Sequence, residues 1–203
     1  MIVKRVSVGP LAENCYIVFR EGSSGSLIID PGDEFEKIDS IINACGVAPQ
    51  AILLTHGHFD HIMAVGAIKN KYNCPVYIHE DDFRMASSGG NISYYFGENS
   101  LGIIADKIIY DDCILDISDY KIKAIHTPGH TKGSVSYYFD GMLFSGDTLF
   151  LLSCGRTDFP GGSMGAMRQS LEKLMTLPLD TIVYPGHGDE STIGFEKENN
   201  PYV

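Results

Sequence analysis

Four times in this chain of 203 residues a short apolar run stops, a glycine stands close by, and a histidine or aspartate follows. AILLT (51–55) leads into HGHFDH (56–61), and a strand-like segment ends in HTPGH (126–130). MLFS leads into GD (146–147), and TIVYP into GHG (186–188). Side chains delivered from several strand ends to one edge of a sheet stand on rigid supports, which is how a metal site is built.

Just past a strand the backbone is still extended, so alternate residues point the same way. His56, His58 and Asp60 therefore reach one side of their loop, and His61, at the start of a predicted helix, can turn toward the same space. Gly57 is read as relieving crowding between the first two imidazoles. His130 follows a Pro-Gly turn, Asp147 follows Gly146, and His187 follows Gly186. The set holds five imidazoles and two carboxylates, without cysteine. Mixed nitrogen and oxygen donors suit zinc, iron(II) or manganese and do not suit a four-thiolate structural zinc. Seven ligands exceed one tetrahedral shell, so two divalent metal ions are the simplest reading, with Asp147 able to bridge them. A lone histidine near a turn is usually structural, and the clustering argues against coincidence. His79 and His126 lack the pattern and are assigned to packing or to hydrogen bonds behind the ligands.

The remaining chain alternates strand and helix. Strands are predicted at 2–8, 14–20, 26–32, 51–55, 75–79, 107–111, 120–126, 134–139, 142–145 and 180–185. Helices are predicted at 34–46, from His61 to about Tyr72, and at 163–177 with Ser163 as cap. Residues 81–105 carry no clear pattern. This alternation predicts an α/β chain, an αββα sandwich of two mixed β-sheets flanked by helices, in a single domain over 1–203. A net charge of −11 is a poor match for a phosphate backbone, so nucleic acid is not an expected partner. No apolar run is long enough to span a bilayer, and MIVKRVSVGP alternates like a strand instead of reading as a secretion signal. Five scattered cysteines without a CxxC pair suggest reduced thiols. Together these predict a cytoplasmic protein.

The motifs THGHFDH, TPGHT, SGDTLF and YPGHG, in this order, resemble the metallo-β-lactamase superfamily, and the resemblance covers nearly the whole chain. GRTDFPGGS (155–163) is similar to the type II glyoxalase branch, the hydroxyacylglutathione hydrolases. The resemblance implies that His56, His58 and His130 hold a first metal, that Asp60, His61 and His187 hold a second, and that Asp147 bridges. It implies hydrolysis of a small-molecule thioester such as S-lactoylglutathione by a metal-bridging hydroxide, with zinc the expected ion and Asp60 both a ligand and the orienter of that hydroxide. Glyoxalase II enzymes carry a C-terminal helical region that helps hold glutathione. Only 16 residues follow His187 here, so a single domain without that region is expected. Persulfide dioxygenases are also similar; they use one iron(II) at positions matching His56, His130 and Asp147.

Other residues stay open at this level. Arg156 reads either as an anion clamp for substrate or as a partner of Asp158 bracing its loop. Cys154 reads as a buried small residue or a reactive thiol. Tyr94, Tyr95 and Phe96 could line a substrate entrance or simply pack, and Lys132 and Tyr137 could touch substrate.

Overall fold

Strand-forming residues assemble into a six-stranded mixed sheet in each half of the chain. The computed structural model describes residues 1–87, 90–97 and 102–203, and of residues 95 and 96 the backbone alone. Two compact units divide the chain, Met1–Ile109 and Tyr110–Val203. The predicted composition, two mixed sheets with flanking helices, is what forms. No helix among the described residues is long and apolar enough to cross a membrane.

In the first unit β1 (Ile2–Val8), β2 (Glu13–Phe19) and β3 (Gly25–Ile29) pair antiparallel. β4 (Ala48–Leu53), β5 (Val76–His79) and β6 (Lys107–Ile109) then add in parallel. Parallel neighbours need crossovers. α1 (Phe35–Cys45) supplies one between β3 and β4, and α2 (Val65–Tyr72) another between β4 and β5. Ile38 and Ile42 of α1, four apart on one face, pack with Ile28, Ile52 and Ile68. Gly46, in the left-handed region at φ 66°, ends α1 as predicted, its N–H donating to the Ile42 and Asn43 carbonyls. Every residue of β3 is buried, which is why SLII reads as an unbroken apolar run. β4 begins earlier than predicted because its Pro49 lies beside a register shift, where a missing N–H is tolerated. The unassigned segment contains α3 (Glu80–Ser87), whose first turn carries Glu80, Asp81 and Asp82, the sign a helix N-terminus favours.

In the second unit β7 (Cys113–Ile117), β8 (Tyr120–His126), β9 (Val135–Phe139) and β10 (Met142–Gly146) form an antiparallel meander. A small hairpin of β11 (Leu149–Phe150) and β12 (Ser153–Cys154) follows. α4 (Met164–Leu174) then crosses to β13 (Ile182–Pro185), which lies parallel to β10. Ser163 caps α4 as predicted, its side-chain oxygen accepting from the Ala166 N–H at 3.3 Å. Met167, Leu171 and Leu174 bury the inner face of α4 against Ile125, Leu143 and Val183.

The sequence places no strand at β7 and no element after 185. The tail forms the edge strand β14 (Ser191–Thr192) and α5 (Ile193–Asn199). α5 has a specific task. The fully buried Glu196 accepts hydrogen bonds from the Leu152 N–H at 2.9 Å, from Asn200 Nδ2 at 2.7 Å and from the Ser191 hydroxyl. Asn200 Nδ2 also donates to the Ser153 carbonyl at 3.0 Å. The last helix thus anchors the β11–β12 hairpin. Glu196→Ala orphans these donors and should lower stability by about 3 kcal/mol, read from urea unfolding; an unchanged midpoint would refute the anchoring role.

Candidate metal centre

The parallel strand pairs place the chemistry. β3 and β4 run side by side, and the Asp30 N–H bonds the Leu53 carbonyl at 3.1 Å, so Asp30 emerges beside Thr55 and His56. In the second unit the Gly186 N–H bonds the Gly146 carbonyl at 2.9 Å, so Asp147 and His187 leave the carboxyl ends of β10 and β13 together. Such strand ends are where open α/β sheets gather their ligands.

The first unit holds four of the seven predicted ligand residues. His56, His58 and His61 are buried. The His56 ring lies 4.8 Å from that of His58 and 4.0 Å from that of His61, centroid to centroid. Asp60 Oδ2 is 3.7 Å from His61 Nε2. Phe59–His61 form a turn of 3₁₀ helix, and α2 starts only at Val65, so His61 precedes the regular helix. Behind the imidazoles stands a carboxylate the sequence reading missed. Asp30, buried and left-handed at φ 48°, accepts from the Thr55 N–H at 2.7 Å, the Thr55 hydroxyl at 2.5 Å and His61 Nδ1 at 3.0 Å. This commits Nδ1 of His61 as donor and makes Nε2 the nitrogen whose lone pair could serve a metal. Glu13, also fully buried, brings Oε1 within 3.7 Å of the same Nδ1. A signal for Asp30 was available: SLIIDPG is a further apolar run ending at an acidic residue and a glycine. A Cβ at Gly32 would overlap the Asp60 carbonyl oxygen and crowd Glu13, so only glycine fits there.

Gly57 has a different reason from the predicted one. A Cβ there would meet the Asp82 carbonyl oxygen at 2.8 Å and Met85 at 3.1 Å, so the glycine makes room for α3 and not for imidazoles. Its N–H donates to Asp82 Oδ2 at 2.9 Å, a tie that holds the loop between His56 and His58.

The second unit holds the other three. Asp147 Oδ2 faces His130 Nε2 at 3.5 Å and His187 Nε2 at 3.7 Å. Two donors on one cation, each about 2.0–2.2 Å from it at tetrahedral angles, lie roughly 3.3–3.6 Å apart. The observed separations sit at or just above that spacing and beyond the usual hydrogen-bond length of roughly 2.7–3.2 Å. One carboxylate oxygen facing two imidazoles fits a shared metal ligand. His130 Nδ1 donates to the Arg156 carbonyl at 2.8 Å, which again leaves the lone pair on Nε2, the nitrogen that could serve a metal. The Phe150 ring, on the hairpin anchored by Glu196, stands perpendicular to the His187 ring, their centroids 6.2 Å apart.

Arg156 makes the loop contact foreseen as one of its two readings. Nε and Nη2 donate to the Asp158 carboxylate at 2.7 and 2.6 Å, and the guanidinium lies over the Phe159 ring, 3.9 Å from its centroid. The paired guanidinium holds the Asp158 carboxyl down at about 2. Burial raises the Cys154 thiol above its ordinary range, which disfavours a reactive thiolate. Tyr137 is fully buried in β9, so its suggested contact with substrate is replaced by a core role. His79 Nδ1 accepts from the Asp81 N–H at 3.2 Å, and His126 Nε2 bonds the Lys132 carbonyl at 2.9 Å; neither of these bonds reaches a predicted ligand residue. Tyr94 is exposed, while the side chains of Tyr95 and Phe96 lie outside the described residues.

With this fold and these clusters, the chain belongs to the metallo-beta-lactamase superfamily, whose profile matches residues 8–187. It is 40% identical to the probable metallo-hydrolase YqgX of Bacillus subtilis, over 98% of this chain and 96% of that one. It is 31% identical to hydroxyacylglutathione hydrolase GloC of Haemophilus influenzae, over 100% and 98%. Among solved structures it is similar to BLEG-1 B3 metallo-beta-lactamase, with a TM-score of 0.95, 37% identity and 99% of each chain covered. It is also similar to TTHA1623 in a di-iron-bound form, with a TM-score of 0.87, 36% identity and 99% and 100% covered. Superfamily membership and the clusters of histidine and aspartate make this an enzyme of the metallo-hydrolase kind.

Proposed function

We propose that the chain is a thioester hydrolase of the hydroxyacylglutathione hydrolase type, with His56, His58 and His130 on a first divalent metal, Asp60, His61 and His187 on a second, and Asp147 shared. The observation that carries the reading is the single Asp147 oxygen facing two imidazole nitrogens at metal-ligand spacing. Whole-length similarity to GloC supports the substrate class. Two divalent ions at such residues supply Lewis acidity and a water acidic enough to ionise near neutral pH.

The chain's own residues do the rest. Asp30 and the Arg156 carbonyl fix the tautomers of His61 and His130, so no proton must leave those Nε2 atoms before they can ligate. Asp60 accepts a hydrogen bond from the attacking water and aims its lone pair at the thioester carbonyl. Aiming of this kind converts a bimolecular encounter into a positioned reaction. Five cysteines without a disulfide agree with a reducing compartment, and we place the protein in the cytoplasm on that support.

The likeness to BLEG-1 brings β-lactams in as a second substrate class. Elemental analysis of protein purified without added metal, followed by hydrolysis assays on S-lactoylglutathione and a chromogenic cephalosporin, tests both. The expected result is about two zinc, iron or manganese ions per chain and turnover of the thioester well above that of the lactam. One iron per chain with oxygen uptake and no hydrolysis would overturn the proposal in favour of an oxygenase.

A further inference from the structure

We infer that the Arg156–Asp158 ion pair is a positioning device for His130: it holds the loop whose Arg156 carbonyl accepts the His130 Nδ1–H, and thereby aims Nε2 at Asp147. The loop 155–162 has little conformational preference of its own, with glycine at 155, 161 and 162. It is nevertheless tightly seated. A Cβ at Gly155 would overlap the Asp147 carbonyl oxygen and come within 3.3 Å of His130 Nδ1, so the Asp147 backbone and the His130 ring both press on Gly155. The Gly162 N–H bonds the Phe159 carbonyl at 2.9 Å, and the Ser163 N–H bonds the Gly129 carbonyl at 2.8 Å, tying the far end of the loop to the turn that presents His130.

Between these two ends the side-chain interlock is the Arg156 fork on Asp158 and its stack over Phe159. Both oxygens of Asp158 are engaged in a planar bidentate pair, which fixes direction as well as distance. A guanidinium held this way orients its own peptide, and that peptide bears the carbonyl 2.8 Å from His130 Nδ1. The pair is exposed, so its value lies in geometry and not in bulk stability. This also accounts for arginine at 156, because a lysine cannot make the two parallel bonds.

The inference rests on His130 being a metal ligand, and the experiment separates the two claims. Zinc-loaded Asp158→Asn, Asp158→Glu and His130→Ala proteins are compared with the parent. Zinc affinity is read by competition with a chromophoric chelator, the His130 Nδ1–H by ¹⁵N-imidazole NMR, and kcat and KM with S-lactoylglutathione. Asp158→Asn should weaken zinc binding about tenfold, speed solvent exchange of the His130 Nδ1–H, and lower kcat with KM nearly unchanged; Asp158→Glu should recover most of each. If Asp158→Asn leaves zinc affinity and the His130 signal at parental values while His130→Ala loses zinc, the positioning role alone is wrong. A change confined to KM would make Arg156 a substrate clamp instead. Full zinc affinity in His130→Ala would remove the ligand assignment, and the inference with it.

Discussion

Asp147→Ala should purify with little bound metal and turn over the proposed thioester substrate at least about a thousandfold more slowly than the parent. Both losses come from one oxygen. Asp147 Oδ2 lies 3.5 Å from His130 Nε2 and 3.7 Å from His187 Nε2, so in the proposed assignment removing it takes an anionic ligand from both metal positions at once. Alanine is smaller than aspartate and adds no steric conflict. The fold should therefore survive, and the loss should appear in metal content and kcat rather than in the unfolding midpoint. Elemental analysis and steady-state kinetics on the same preparation decide the matter. A variant with normal metal content and full activity would show that Asp147 is not the shared ligand.

Asp30→Ala should damage stability and metal binding together. Its carboxylate is the acceptor for the Thr55 N–H, the Thr55 hydroxyl and His61 Nδ1 in a buried setting. Leaving a buried backbone N–H without its acceptor costs about 1–3 kcal/mol, and a second orphaned donor adds to it. The left-handed backbone at φ 48° is also tolerated better by aspartate than by alanine. Asp30→Asn keeps the shape and one acceptor, so it should fold. By freeing the orientation of His61 it should still weaken metal binding by roughly 10–100-fold. Chemical unfolding of Asp30→Ala and chelator competition on Asp30→Asn measure the two effects. Parental values in both would mean that Thr55 and His61 do not depend on this carboxylate.

The residues carrying donor chemistry were legible because their signal is local. A strand end, a glycine and an imidazole or carboxylate stand close together in the chain at His56, His58, His130, Asp147 and His187, while Asp60 and His61 follow in the 3₁₀ turn beyond β4. What was missed is non-local. Asp30 lies 31 positions from His61, and only the β3–β4 pairing brings them together. Asp82 supports Gly57 from α3, an acid-rich helix without the apolar periodicity that announces a buried face. β7 was lost because its residues alternate between partly buried and exposed positions, so CILDI carries a weak pattern. β14 has two residues, too few for any period. α5 was lost because its best argument, Glu196 turned inward, looks in sequence like an ordinary surface charge. The role of Arg156 could be framed as two alternatives from its neighbours, but the backbone carbonyl that serves His130 has no signature in the side-chain alphabet.

The ladders joining β3 to β4 and β10 to β13 also distinguish segments that can absorb changes in length from segments that cannot. Except where a bulge takes up the odd residue, as the register shifts beside Pro49 in β4 and between Phe144 and Gly146 in β10 do, one residue gained or lost inside such a strand advances everything beyond it by about 3.3 Å and turns it to the opposite face, so the donor at its end is displaced. Additions in the turn of the small hairpin, or between α3 and β6, leave those ladders intact. Changes of length are thereby steered to the connections, while the strand ends that carry the donors keep their register.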